Sequence, residues 1–386
     1  MVIRTVNHMD PHLQKLGISS TVEIVMQSDT KYLHALASIP SVTGKTLRAL
    51  AAHFQSFEDA WRADEGDFQR AGLDEKAITA VSWKRPSLDP DREMETLVRK
   101  SIWLIRETDS DYPLLLAQIP NPPFILYGTG RATLFESQIP LGVVGSRKPT
   151  SYGIQATETI TETLARAGAC IISGLALGID AIAHRTAVEA GGATIAVLGS
   201  GIDNESLYPP SNQGLARRIT ESGGAVISEY PPGTPALKEH FPARNRIISG
   251  LSKGILVVEA QEKSGALITA RFALEQNRDV FAVPGSIFSL SSKGTNALIQ
   301  EGAKLVSCGE DILKEYGIEY TTNTGSLEPL DETEERILVV LAESRTVDDI
   351  KALTGLDTPA IIASVSLLEM KGRIRAIEGE RYERIL

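Results

Sequence analysis

The chain has 386 residues and a formal charge of −10, from 39 Lys and Arg against 49 Asp and Glu, with 42% apolar and 23% charged residues. This balance excludes wholesale disorder, collagen and coiled coil, and it excludes a uniformly basic coat for nucleic acid. The length suits two or three domains of ~100–200 residues each.

In chain order, the opening segment MVIRTVNHMDPHLQKLG lacks an apolar signal core, and no run approaches the ~18 apolar residues of a membrane span. Cys170 and Cys308 are too few for a disulfide framework and read as core residues in a reducing compartment. A cytoplasmic protein with no membrane partner is expected. Tyr32–Phe54 reads as helix, short turn, helix, and Phe57–Ala63 and Glu75–Trp83 continue the pattern. These define a small helical domain over residues 28–90, closed by a polar, proline-containing linker at Pro86–Asp91. Leu97–Ile105 and Phe124–Tyr127 lead into a sheet, with Pro113, Pro120, Pro122 and Pro123 marking irregular chain between them.

Beyond residue 138 the pattern changes. Leu141–Val144, Cys170–Ile172, Thr194–Leu198, Ala225–Ile227, Ile255–Val258 and Asp279–Val283 are short β-branched runs. Helical stretches at Tyr152–Ala167, Gly178–Ala190, Asn212–Glu221 and Ala266–Gln276 lie between most of them. Such alternation indicates βαβ crossovers and a mostly parallel sheet, an α/β fold of extended Rossmann-like, doubly wound type over residues 97–318. Tyr320–Leu330 is a linker by composition. Three short helices follow, Glu334–Ala342, Val347–Thr354 and Pro359–Lys371, and then Arg373–Ile377 and Arg381–Ile385 flank Glu378-Gly379-Glu380, a winged-helix pattern over residues 331–386.

Charge and glycine are spread unevenly. Residues 139–310 carry 15 basic and 15 acidic side chains and 21 of the 32 glycines, so the acidic excess lies elsewhere and the tight strand-to-helix turns lie here. Two phosphate-loop resemblances fail on context. Gly44-Lys45-Thr46 has Ile39 where a P-loop needs glycine, and it joins two helices. Gly199-Ser200-Gly201 follows a strand but lacks the third glycine and the helix of a dinucleotide site.

Stronger signals fall at the carboxyl ends of strands, where open α/β sheets bind ligands. Gly145-Ser146-Arg147-Lys148-Pro149-Thr150 leads from a strand into a helix, offering backbone N–H groups and one planar bidentate cation to an anion. Ser173-Gly174-Leu175-Ala176-Leu177-Gly178 allows either close backbone approach or merely a tight turn. Lys238-Glu239-His240-Phe241-Pro242-Ala243-Arg244-Asn245-Arg246 carries three fixed cations and a phenylalanine, and its prolines put its start in a loop. Cations that track phosphates beside a ring that stacks on a base suit single-stranded nucleic acid. The alternative is that Phe241 packs inward while the arginines pair with Glu229 or Glu259. Lys263-Ser264-Gly265-Ala266 opens a further helix. Asp180 and His184, four apart, lack a third metal ligand and read as structural, Asp180 at a helix N-terminus and His184 in a packed interface. No catalytic constellation, metal site or cofactor motif emerges, so a binding protein is expected rather than an enzyme.

Several of these blocks, in order, resemble the DNA-processing protein DprA (Smf) family. They are Val144-Gly145-Ser146-Arg147, Ser173 through His184, Leu198 through Asp203, Tyr208-Pro209, Ser228 through Gly233, Phe241 through Arg246, Ser264 through Ala270 and Val283-Pro284-Gly285. The resemblance implies an extended Rossmann fold that dimerises, binds and protects single-stranded DNA, and loads the recombinase RecA in natural transformation. It carries the DNA contacts onto Gly145, Arg147, Lys238, Phe241 and Ser264, with Arg244 or Arg246 as further phosphate partners. It also implies a helical domain like a sterile-alpha-motif or helix-hairpin-helix module before the Rossmann part. Because Pro359–Lys371 holds a single base, Lys371, the winged helix is expected to serve protein contacts, with wing–phosphate contact through Arg373, Arg375 and Arg381 left open. The competing expectation is a Rossmann nucleotide-binding enzyme like the phosphoribohydrolases, in which Glu259 would stand near the signature glutamate.

Overall fold

Strands rich in Val, Ile and Leu without alternation need cover on both faces, and the chain supplies that cover with a helix after nearly every strand. The computed structural model describes residues 28–131, 139–320, 330–371, 373–377 and 381–384. They fall into two units divided between residues 320 and 321. The segments 1–27, 132–138 and 321–329, Gly372, residues 378–380, Ile385 and Leu386 lie outside the described residues.

The first unit opens with α1 (Ser28–Ala37), α2 (Gly44–His53), α3 (Phe57–Arg62), α4 (Glu65–Arg70), α5 (Glu75–Lys84) and α6 (Pro90–Arg99). Local chemistry sets several of the starts. Thr43 and Asp64 form capping boxes for α2 and α4, and Asp74 accepts the Ala77 N–H ahead of α5. The expected linker at Pro86–Asp91 instead contains the start of α6. Asp89 caps it and Pro90 occupies its first turn, where a missing N–H costs nothing. Leu97 accordingly lies in the last turn of a helix, and the strand begins only at Trp103.

The sheet then runs β1 (Trp103–Arg106), β2 (Ile125–Gly130), β3 (Pro140–Val144), β4 (Cys170–Ser173), β5 (Thr194–Leu198), β6 (Ala225–Ser228), β7 (Gly254–Val257), β8 (Asp279–Ala282) and β9 (Lys304–Leu305). A short helix, α7 (Leu114–Ala117), precedes β2. The crossovers are α8 (Ser151–Arg166), α9 (Ile179–Glu189), α10 (Gln213–Glu221), α11 (His240–Leu251), α12 (Gly265–Glu275) and α13 (Lys293–Gln300), and α14 (Gly309–Glu315) follows β9. Among the described residues the spatial order is β1-β2-β6-β5-β4-β3-β7-β8-β9, parallel from β6 to β9 with β2 and β1 antiparallel at one edge. The chain builds outward from β3 to β6 and returns to β7 on β3's other side, so a topological switch point lies between β3 and β7.

Two apolar layers sandwich the parallel strands. Leu141, Val143, Ile171 and Leu256 meet Ile160 and Leu164 of α8 and Ala183 of α9. Ile172, Val197, Ile255 and Val257 meet Ile247 and Leu251 of α11 and Ala270 of α12. The amino-terminal helices share a third cluster with the sheet, joining Leu33, Leu36, Leu50 and Val81 to Leu104, Tyr127 and Leu198. Within it His34 Nδ1 lies 3.0 Å from the Tyr127 hydroxyl, and Arg48 clasps Glu107 with Nη2 at 2.6 Å. Cys170 is core as expected, whereas Cys308 is half-buried at the start of α14.

The second unit comprises α15 (Glu332–Val340), β10 (Arg345–Thr346), α16 (Val347–Thr354), α17 (Thr358–Met370), β11 (Ile374–Ile377) and β12 (Arg381–Arg384), with sheet order β10-β12-β11. Ile337, Leu338, Ile350, Ile361, Val365 and Ile374 form its core. This is the expected winged helix. No single described helix is long and apolar enough to cross a membrane.

Two histidines are buried in the first unit without a compensating anion. Desolvation pushes His34 down to about 4 and His184 to about 3. The folded state therefore stays neutral at both sites while the unfolded chain takes up protons below about 6.5, so stability falls as pH drops from about 6.5 toward 3–4. Each histidine should cost about 2 kcal/mol at pH 5 relative to pH 7.5. Asp180, whose carboxyl burial raises, acts in the opposite direction. Urea unfolding at the two pH values should give the wild type a steeper loss than His184→Gln, by about one histidine's share. Equal losses would contradict a buried, neutral His184.

Candidate nucleic-acid interface

The loops after β3, β4, β5, β7 and β8 all emerge on the carboxyl edge, around the switch point. Their backbones approach through glycine. A Cβ on Gly178, which has φ +78°, would lie 2.3 Å from Ser146 O, and one on Gly145 would lie 2.7 Å from Ile179. Ile179 N–H donates to Ser146 O at 3.1 Å, tying the β3 loop to the start of α9. Thr150 caps α8 by accepting the Gly153 N–H at 3.2 Å.

Arg147 is exposed on this edge, and its guanidinium carbon stands 5.7 Å over the Phe241 ring. Phe241 lies in the first turn of α11, partly exposed, with the Tyr208 ring 5.7 Å away at 54°. The expectation of a loop here holds only up to Glu239, because Pro242 sits in the helix's first turn, as it can where the N–H has no intrahelical acceptor. Lys238 is exposed just before that helix. Next door, His240 stacks on Tyr230 at 4.0 Å and 18°. Ser264 caps α12, its Oγ accepting the Ala266 N–H at 3.2 Å. The structure thus brings Arg147 and Phe241 into contact, while Gly145, Lys238 and Ser264 contribute from neighbouring loops of the same edge.

The two remaining arginines are positioned differently. Arg244 is 4% exposed; Nη1 donates to Gly174 O at 2.6 Å and also to Val197 O. Burial lowers it to about 10, opposed by the negative charge of Asp180. Arg246 forms a fork with Glu229, at 2.9 Å through Nη1 and 2.6 Å through Nη2, the pairing the sequence left open as its alternative. Both arginines lie below the surface that Arg147 and Lys238 present.

Asp180 and His184 are both buried and hydrogen-bonded within the fold. Asp180 accepts the Gly174 N–H at 3.1 Å, fixing the β4 loop in which Leu175 takes φ +55°. His184 Nδ1 lies 2.7 Å from Thr194 Oγ1, which donates to Ile171 O, so the ring's N–H is on Nδ1. Among the described residues no three His, Cys, Asp or Glu side chains gather as a metal site.

Three residues at this edge hold positions that the sequence did not reveal. Tyr208 completes the aromatic pair with Phe241. Glu259, 1% exposed, accepts from Thr150 N–H at 2.9 Å, Thr150 Oγ1 at 2.6 Å and Ser291 Oγ at 3.1 Å. Tyr152 Oη donates to Pro284 O at 2.7 Å. Only the position of Glu259 directly after an apolar strand offered a signal, since its partners come from segments 109 and 32 residues away.

Comparison with known proteins places these features in a family. The model for DNA recombination-mediator protein A matches residues 103–317, and that for the DprA winged helix domain matches residues 322–380. Protein Smf of Synechocystis is 37% identical, over 92% of this chain and 99% of its own length. The X-ray structure of DNA processing protein A from Streptococcus pneumoniae superposes with a TM-score of 0.63 at 35% identity, covering 75% of this chain and 99% of that one. DNA processing protein A from Helicobacter pylori, whose structure is described for its single-stranded DNA binding mode, gives 0.51 at 30% identity over 56% of this chain and 95% of its own.

The arginines should separate by stability. Arg244→Met strands two buried carbonyls and removes the charge facing Asp180, and should destabilise by about 3–5 kcal/mol. Arg147→Ala, at an exposed position, should stay within about 0.5 kcal/mol of wild type. Thermal melts of the two variants check the contrast.

Proposed function

The chain belongs to the DNA recombination-mediator protein A family, and from that premise we propose that it binds and protects single-stranded DNA and loads RecA onto it during recombination and natural transformation. The observation that carries the reading is the exposed Arg147 guanidinium over the partly exposed Phe241 ring on the carboxyl edge of the sheet. Arg147 and Lys238 neutralise phosphates, the backbone around Gly145 and the helix start at Ser264 take others, and Phe241 stacks a base, backed by Tyr208. Arg244 and Arg246 support this surface from beneath, through the carbonyls of Gly174 and Val197 and through Glu229.

Binding without catalysis fits the position of Glu259. The competing nucleotide-hydrolase reading needs a carboxylate facing substrate, and this one accepts three hydrogen bonds from its own loops while nearly fully buried. A homodimer through the Rossmann-like part belongs to the same proposal and rests on the family likeness, with Leu305 as an exposed apolar side chain on the edge strand β9. We assign the winged helix to protein contacts. Lys371, the one base expected on its third helix, pairs with the buried Glu334 at 2.8 Å. In the wing Arg375 pairs with Glu383, and Arg381 donates to Ser344 O at 2.6 Å. Val339, Leu353 and Ile362 are exposed. The site of action is the cytoplasm.

Affinity for oligo-dT should fall with salt, at about −0.7 in log–log slope per phosphate neutralised. Lys238→Ala should shallow that slope by about one phosphate. Phe241→Ala should lower affinity by about 1–3 kcal/mol with the slope retained. An Arg147/Lys238/Phe241 triple alanine variant that binds like wild type would sink the assignment.

A further inference from the structure

The carboxyl edge continues past Ser264. Two strands beyond β3, the chain leaving β8 forms the loop Pro284–Ser292. Between this loop and the first turn of α8 lies a cleft of about 440 Å³, lined by Thr150, Tyr152, Glu259, Gly285, Ser286 and Ser289 among others. Tyr152 is 49% exposed, and its hydroxyl bond to Pro284 O fixes the ring against the loop. The loop is ordered by its own hydrogen bonds. Gly285 N–H donates to Asn296 Oδ1 at 3.2 Å, Phe288 N–H to Ser286 Oγ at 3.3 Å and Ser289 N–H to Ser286 O at 3.0 Å. At its tip Ile287 is 77% exposed and Phe288 91%.

A phenylalanine held almost wholly in water on a hydrogen-bonded turn marks a contact surface. Charge indicates what it contacts. None of the cleft-lining residues is Lys or Arg, and a buried carboxylate is among them, so phosphate is disfavoured inside. Cations stand on the neighbouring loops, with Arg147 and Lys148 exposed after β3 and Lys263 exposed before α12. One aromatic ring, Tyr152, and several hydroxyls within, with cations nearby, suit a strand whose phosphates pass outside and whose base turns in. Ser289 separates Ile287 and Phe288 from Leu290, which breaks up the broad apolar face that two protein copies would bury.

We infer that this cleft is a base subsite for the same single strand, with Tyr152 in its lining and Phe288 on the loop at its rim, between the lining residues Ser286 and Ser289. The inference rests on the single-strand reading above and extends it along the edge. Phe241 packs beside Gly199, just past β5, and β8 lies four strands away in the sheet. Four spacings of about 4.8 Å make ~19 Å, or about five to six nucleotides at a stacked rise of ~3.4 Å.

The test compares oligo-dT of about four and about twelve nucleotides on the full chain, within the ~4–16 nucleotide range of single-strand sites. Phe288→Ser should weaken the longer strand about tenfold, leave the shorter within about twofold, and leave the salt slope unchanged because no charge is removed. Wild-type affinity of Phe288→Ser for the longer strand overturns the inference. So does an altered oligomeric state in sedimentation, which would assign the loop to a contact between copies. Phe241→Ala separates the two readings, since it should weaken both lengths. If it is silent while Phe288→Ser weakens the longer strand, the Phe241 site fails and the cleft stands.

Discussion

Arg244 lies almost wholly inside the protein, donating to the carbonyls of Gly174 and Val197, and the arrangement of the carboxyl edge follows from where that cation can sit. Those carbonyls belong to the ends of β4 and β5, so one side chain of α11 ties two strand termini to the helix that carries Phe241. Space for it exists only because residue 174 is glycine, where a Cβ would meet the guanidinium at 2.5 Å. Asp180 provides the opposing charge and, by accepting the Gly174 N–H, holds the same loop from the other side. A buried cation with its donors satisfied fixes geometry, and losing it would leave polar groups stranded.

Across the switch point a buried anion performs the matching task. Glu259 leaves β7 and grips Thr150, the residue that caps α8, so the β3 loop bearing Arg147 is anchored by the strand beside it. Gly153 is again the permissive residue, since a Cβ there would lie 2.3 Å from the Glu259 carboxylate. The ionisable groups of this edge therefore divide by burial. Arg244, Asp180, Glu259 and the Arg246–Glu229 fork hold loops. Arg147, Lys148, Lys238 and Lys263 are exposed and enter no ion pair among the described residues.

That division explains which parts were readable in the sequence. The parallel strands and their crossover helices follow from hydrophobic period and glycine spacing, both local, and the expected runs match β3–β8 within about two residues at each end. The starts of α6 and α11 were misread for one reason: Pro90 and Pro242 were taken as breakers, although proline in a helix's first turn displaces no bond. Lys238, Phe241, Arg244 and Arg246 were legible as one cluster in composition, and Arg147 as a separate strand-to-helix turn. Which arginines face water was not, because Gly174 and Val197 lie 70 and 47 residues from Arg244. Tyr152 and Phe288 were missed on the same ground, and Glu259 was weighed against the wrong partners, since the contacts of all three depend on segments that meet only once the sheet is formed.

A chain of −10 and an edge for a polyanion are compatible because electrostatics near a surface is local. At physiological salt the Debye length is about 8 Å, shorter than the ~19 Å between β5 and β8 along the sheet. Within that reach the nearest charges decide the local potential, and Arg147 stands over Phe241 within 6 Å. Burial of Asp180 and Glu259 assists further. Each is enclosed and hydrogen-bonded by its own loops, so neither opposes a phosphate at the surface as an exposed carboxylate would. Glu239 and Glu262 stay exposed in the same loops, each next to an exposed lysine, so the positive excess of the edge rests on Arg147 and Lys148.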